Sequence, residues 1–229
     1  MISWVFFDLG GTLLDDSGLV DAIGRTYVEL LNARGYRVSL DEFVAVRDLV
    51  IVRQERPLFR AAASTFTRDF AVVDEIWREA QPRILGAEVS GQRAFPEAAE
   101  VLRAVSSHAG LGVIANQYHT VRDVLRRDGL DAFFRIVQIS EEAGVSKPDP
   151  AIFERALRDA GCKPQEAVMV GDRIDFDVEP AKALGFHTVR VRQGVFRNQA
   201  PVSANQHPDV EVASLREVPH ALDRLARRV

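Results

Sequence analysis

Four short stretches of this chain combine residue types that can do chemistry together: Asp8-Leu9-Gly10-Gly11-Thr12-Leu13, Val113-Ile114-Ala115-Asn116, Ser146-Lys147-Pro148-Asp149-Pro150 and Val170-Gly171-Asp172-Arg173-Ile174-Asp175-Phe176-Asp177. An aspartate on a glycine loop can attack phosphorus and form an aspartyl-phosphate, which replaces one difficult displacement by two easier ones. Asp8 has that setting. A second carboxylate converging on the first could hold Mg²⁺, letting a dianionic phosphate approach an anionic nucleophile. Asp172 is the expected partner. Lys147 supplies a point positive charge for phosphoryl oxygens and lowers repulsion between carboxylates. It is one of only three lysines, with Lys163 and Lys182, in a chain that otherwise uses arginine.

Each of these residues also has a plainer use. Asp8 could cap the turn that follows it, and Lys147 could be a solvated lysine ahead of a helix. Asp172, Asp175 and Asp177 could form a turn into a helix over 178–182, with one of them as its cap.

The elements that must position these residues follow from apolar run length and period. Trp4-Val5-Phe6-Phe7 is short, apolar and rich in β-formers, which predicts a buried strand. Similar runs at 111–114, 136–139, 167–170 and 188–191 predict four more. Helical spacing lies between them: Ala98, Val101, Leu102 and Val105; Val121, Val124 and Leu125; and Ile152, Phe153, Ala156 and Leu157 behind Pro148 and Pro150. Leu215, Val218, Leu222 and Leu225 predict a last helix that Pro219 must start or kink. Alternating strands and helices predict a Rossmann-like α/β core, a three-layer parallel sheet with chemistry at the carboxyl ends of its strands.

From residue 15 to about 92 the rhythm is helical throughout, with segments at 20–31, 43–52 and 72–84 and no strand among them. We therefore expect an α/β core from 1–14 and 93–229 and a small helical domain from 15–92. Gly10-Gly11 and the stretch 86–91 flank the insertion as possible hinges.

With 229 residues and 47% hydrophobic content the chain is a globular protein of one domain plus an insertion. The 29 basic residues are scattered among 33 acidic ones, which argues against a nucleic-acid partner. The single cysteine, Cys162, allows no intrachain disulfide and fits a reducing compartment. No apolar run reaches membrane-spanning length, and Met1 is followed by no basic leader. A cytoplasmic protein, monomer or homodimer, is the expectation.

The order and spacing of the four stretches resemble the haloacid dehalogenase superfamily, most of whose members are magnesium-dependent phosphatases of small molecules. The resemblance spans nearly the whole chain; the insertion would correspond to that family's helical cap. It implies a metal held by Asp8, the Gly10 carbonyl and Asp172, with Asp177 in support. It further implies catalysis by Asp8, Lys147 and Asn116, and phosphate contacts from Gly11, Thr12, Ala115, Asn116 and Lys147.

Two positions depart from that pattern. Most family phosphatases carry a second aspartate two residues past the nucleophile, as acid and then base; here it is Gly10. The residue before Asn116 is usually Ser or Thr; here it is Ala115. Losing an acid-base group costs about 10²- to 10⁴-fold in rate, and losing an oxyanion donor roughly 10²- to 10³-fold. Acyl phosphates, phosphoanhydrides and aryl phosphates, whose leaving groups depart unprotonated, escape the first loss. The relatives that do without this acid are the haloacid dehalogenases, phosphonatases and cation-pumping ATPases. Other readings therefore stay open: a phosphate-binding module with little turnover, and metal-free carbon-halogen hydrolysis. His119 is a candidate replacement base or a surface histidine. Arg47, Arg53, Arg56 and Arg60 offer either an anion clamp from Arg47 and Arg60 or solvated pairs with Glu42, Asp48 and Glu55.

Overall fold

A computed structural model describes residues 1–227. Two compact units divide the chain, one formed by residues 1–15 and the chain from 93 onward, the other by residues 16–92.

The first unit is built on a six-stranded parallel sheet. Its strands are β1 (Trp4–Phe7), β4 (Gly110–Ala115), β5 (Ile136–Ile139), β6 (Ala167–Gly171), β7 (His187–Val191) and β8 (Val210–Val212), in the order β5-β4-β1-β6-β7-β8. β2 (Leu14–Asp15) and β3 (Arg93–Ala94) form a separate antiparallel ribbon. Alternate β1 side chains serve opposite layers. Phe6 packs with Ile114, Met169, Ile152, Phe153 and Phe186 on one face. The helices Ala98–Ser106 and Val218–Ala226 bury their apolar stripes on the other, Val101, Leu102 and Val105 from one and Val218, Ala221 and Leu225 from the other. The aromatic β1 residues leave β4 no room for side chains beside them. A Cβ on Gly110 would come within 2.9 Å of Trp4, and one on Gly112 within 2.6 Å of Phe6.

All five strands read from the sequence are present. β8 and the β2–β3 ribbon were not expected; elements of two or three residues carry no period to read. Pro219 starts the last helix instead of kinking it. Register then sets the site: Phe7 pairs with Val113 on one side and Val170 on the other. Asp8, one residue past β1, therefore stands level with Gly171, the last residue of β6.

The second unit contains four helices, α1 (Ser17–Ala33), α2 (Leu40–Val52), α3 (Leu58–Phe66) and α4 (Phe70–Ala87). Its interior is aromatic, with Tyr27, Phe43, Phe59 and Phe66 making ring contacts at centroid distances of 5.6 to 6.5 Å. The short α3 escaped sequence reading because only Ala62 and Ala63 of its nine residues are buried. No described helix is long and apolar enough to cross a membrane.

Candidate active site

Asp8 follows the last residue of β1, and its backbone N–H donates to the Val170 carbonyl of β6 at 2.9 Å, which ties the loop to the neighbouring strand. The chain then folds tightly back: the N–H groups of Thr12, Leu13 and Leu14 all donate to the Leu9 carbonyl. Gly11 sits at φ +71° in this turn, and a Cβ there would lie 2.3 Å from Asp172 Oδ2. Only glycine satisfies both the turn and the carboxylate beside it. At the end of β6, a Cβ on Gly171 would stand 2.3 Å from Asp177 Oδ2. These two glycines let the carboxylates close in.

The structure brings Asp8, Asp172 and Asp177 together. All three are buried, and one carboxylate oxygen from each lies within 4.8 Å of the others. Lys147 is clasped inside this group, its Nζ 2.6 Å from Asp8 Oδ1 and 2.5 Å from Asp177 Oδ1. Burial alone would pull the lysine down, but Asp177 and Asp8 outweigh it and hold the ammonium above the ordinary lysine range. Burial, opposed by Lys147 and reinforced by Asp8, pushes Asp177 up to about 6. One ammonium does not balance three carboxylates. Hard oxygen donors in negative surplus, packed too closely for a side chain on Gly11, fit a small divalent cation.

The remaining expected residues have mixed fates. Thr12 is buried with its hydroxyl 3.5 Å from Asp8 Oδ2, the outer limit of a hydrogen bond. Asn116 spends its amide on Lys147's backbone: Nδ2 donates to the Lys147 carbonyl and Oδ1 accepts from the Lys147 N–H, each at 2.8 Å. That contact fixes where the lysine emerges. Ala115, buried at the end of β4, offers no hydroxyl. No acidic residue caps the helix Glu179–Leu184, whose N-terminus lacks a side-chain cap. Asp175 instead takes two hydrogen bonds from Arg173, at 2.7 and 3.1 Å, which hold it below the ordinary carboxylate range against the opposite pull of burial. A guanidinium supplies the charge that a helix end would have shared.

His119 Nδ1 lies 2.6 Å from Glu141 on the surface. In the helical unit Arg47 is buried against Asp48, Arg60 pairs with Asp74, and Arg53 lies 3.7 Å from Glu55. Asp48 and Glu55 are thus partners as expected, whereas Arg47 is buried and not solvated, and Arg60 takes Asp74, a partner not expected.

Several residues around the site were not read from sequence. Arg190 is fully buried, with Nε donating to the Asp172 carbonyl at 3.2 Å and Nη1 to Glu211 at 3.1 Å. The guanidinium of Arg173 stacks on Phe176 and Phe196. Gln193 and Gln199 reach the site from the loop after β7. Arg190 had one available signal, a charge between the two valines of β7; glutamines in a loop give none.

Residues 2–185 match the haloacid dehalogenase-like hydrolase family. A glyceraldehyde 3-phosphate phosphatase of Methanopyrus kandleri is 31% identical, covering 99% of this chain and all of the relative. A phosphoserine phosphatase of Thermus thermophilus is 32% identical over 86% of this chain and 75% of its own length. Among solved structures, a haloacid dehalogenase-like hydrolase from Streptococcus pneumoniae superposes with a TM-score of 0.74 at 19% identity, covering 96% of this chain and 98% of its own. The fold, the match to the family over most of the chain and the likeness of a full-length relative agree: this chain belongs to the haloacid dehalogenase-like hydrolases.

Proposed function

We propose that the chain is a Mg²⁺-dependent phosphatase of small phosphorylated metabolites that works through an aspartyl-phosphate on Asp8. The observation that carries this reading is the clasp of Lys147 between Asp8 and Asp177 beside Asp172. Dehalogenation needs a nucleophile but no divalent site, so three converging carboxylates favour phosphoryl transfer. Relatives named for phosphatase activity support the same class. Asp8, the Gly10 carbonyl and Asp172 would hold the ion, with Asp177 in support. When bound, Mg²⁺ supplies charge stabilisation for the phosphoryl oxygens.

The chain's own residues do the rest. An Asp8 carboxylate oxygen attacks phosphorus; the bond to the leaving-group oxygen breaks, and that oxygen departs with the electron pair. Lys147 offsets the negative charge at the nucleophile. Asn116 holds the backbone from which Lys147 extends. Water then attacks the phosphoryl group on Asp8 and releases phosphate. Residues 15–92 would serve as the helical cap domain.

Gly10 offers no carboxyl to protonate a poor leaving group or to deprotonate water. Turnover should therefore favour leaving groups that depart as stable anions. The dephosphorylation step should be slow. With Mg²⁺ present we expect hydrolysis of acetyl phosphate and para-nitrophenyl phosphate to exceed that of glyceraldehyde 3-phosphate and phosphoserine, and a rapid burst of about one para-nitrophenolate per site before steady state. Equal kcat/KM on all four would sink the leaving-group reading. Silence on all four, with phosphate still bound, would leave a binding module.

A further inference from the structure

The segment after β7, residues 192–199, reaches both halves of the acidic site through contacts the reaction above does not use. Gln193 Nε2 donates to the Thr12 carbonyl at 2.8 Å, while its Oε1 accepts from the Leu215 N–H at 3.2 Å. Gly194 adopts φ +66°, and a Cβ on it would lie 3.0 Å from Gly11 Cα. The loop therefore rests directly on the nucleophile turn.

Gln199 is buried and uses both ends of its amide. Its Oε1 accepts from the Ile174 N–H and its Nε2 donates to Asp175 Oδ1, each at 2.8 Å. Asp175 in turn grips Arg173, whose guanidinium lies 4.2 Å from the centre of the Phe196 ring and whose backbone N–H donates to Asp177 Oδ2 at 3.0 Å. A connected path thus runs from Gln199 to the carboxylate that holds Lys147. Packing alone does not account for a buried glutamine here. An apolar side chain of equal size would fill the space but strand the Ile174 N–H and remove one of Asp175's donors.

We propose that Gln193 and Gln199 are positioning residues, two arms of one loop that set the nucleophile turn and the segment 172–177 at the separation the ion requires. The inference rests on the metal-assisted reading of the site. Outer hydrogen-bond partners of a metal site commonly change its affinity by about 10- to 100-fold when removed.

The test titrates Mn²⁺ as a spectroscopic probe with no substrate present, alongside kcat and KM for para-nitrophenyl phosphate in Mg²⁺ and a melting curve for each variant. Gln199→Met should weaken Mn²⁺ binding by about 10- to 100-fold, and lower kcat at saturating Mg²⁺ with KM within about threefold. Gln199→Glu keeps the acceptor for Ile174 and should recover part of the affinity, even if the methionine variant folds poorly. Gln193→Met should displace the nucleophile turn, lowering kcat by about tenfold and weakening Mn²⁺ binding by about tenfold, because Asp8 and the Gly10 carbonyl lie on that turn. Val202→Ala, at an exposed position just beyond this segment, should change nothing. Unchanged Mn²⁺ affinity in both Gln199 variants, whatever their melting temperatures, overturns the proposal, as does failure of the unsubstituted chain to bind Mn²⁺. If that chain binds Mn²⁺ but hydrolyses nothing, the phosphatase reading fails while the affinity comparison still decides this one.

Discussion

The interiors of the two units are built on opposite terms. In the helical unit the centre is a stack of rings from Tyr27, Phe43, Phe59 and Phe66, surrounded by Ala62, Ala63, Ile76 and Ala80. At the strand ends of the α/β unit the centre is Asp8, Asp172, Asp175, Asp177, Lys147 and Arg190, all buried. Apolar burial stabilises in proportion to area removed from water, whereas removing one partner of a buried ionic group strands the other. One region is arranged for stability. The other spends stability to hold charge where a reaction can use it.

The sharpest way to separate the two is a pair of substitutions. Asp8→Asn removes the nucleophile and one of three crowded negative charges. We expect it to abolish turnover, a loss on the order of 10⁴-fold or more, equivalent to about 5.5 kcal/mol or more in the barrier. The melting temperature should stay within a few degrees of the parent. A variant that loses turnover only by unfolding would break the contrast. Phe43→Ala should do the reverse in its own unit. It empties the middle of the ring stack and should cost about 3–5 kcal/mol of stability, read by denaturant unfolding.

How far these two interiors could be read in advance differs in the same way. The strand runs, the helical stripe of Ala98, Val101, Leu102 and Val105 and the four chemical stretches were legible because periodicity and local spacing carry them. Lys147 stood out through its neighbours and the scarcity of lysine. What stayed hidden depends on long-range polar pairing. Asn116 serves the Lys147 backbone 31 residues away. Asp175 answers Gln199, 24 residues away. A hydrogen bond between distant residues leaves no mark on local composition, so polar partners become visible only once the chain is folded.

Gly10 tests whether the polar interior is incomplete for demanding substrates. Its φ lies outside the left-handed region, unlike that of Gly11, so a side chain there adds no strain in φ. Gly10→Asp should raise kcat/KM on alcohol phosphates by about 10²-fold or more, the range of a recovered acid-base group. The change on acetyl phosphate should be small, because that leaving group needs no proton. An equal gain on both substrates would mean that the new carboxylate acts through the ion and not as an acid.

The smallest effect belongs to the helical unit and bears on how its frame is fixed. Ser39 and Glu42 form a reciprocal cap on α2: the Glu42 N–H donates to Ser39 Oγ at 3.2 Å, and the Ser39 N–H donates to Glu42 Oε2 at 2.9 Å. The hydrogen bonds from Ser39 hold Glu42 below the ordinary carboxylate range. Because both groups are near the surface, water replaces much of what a substitution removes. Ser39→Ala should therefore cost about 1 kcal/mol of stability, within the usual range for an N-cap, and leave kcat at the strand-end site unchanged. A folded-state carboxyl held low gives stability that is present above the unfolded pKa and fades as pH falls. The deficit of the alanine variant relative to the parent should accordingly shrink as the medium is acidified through the carboxylate range. A deficit that stays constant with pH would assign the cap's contribution to the serine hydroxyl alone and remove Glu42 from it.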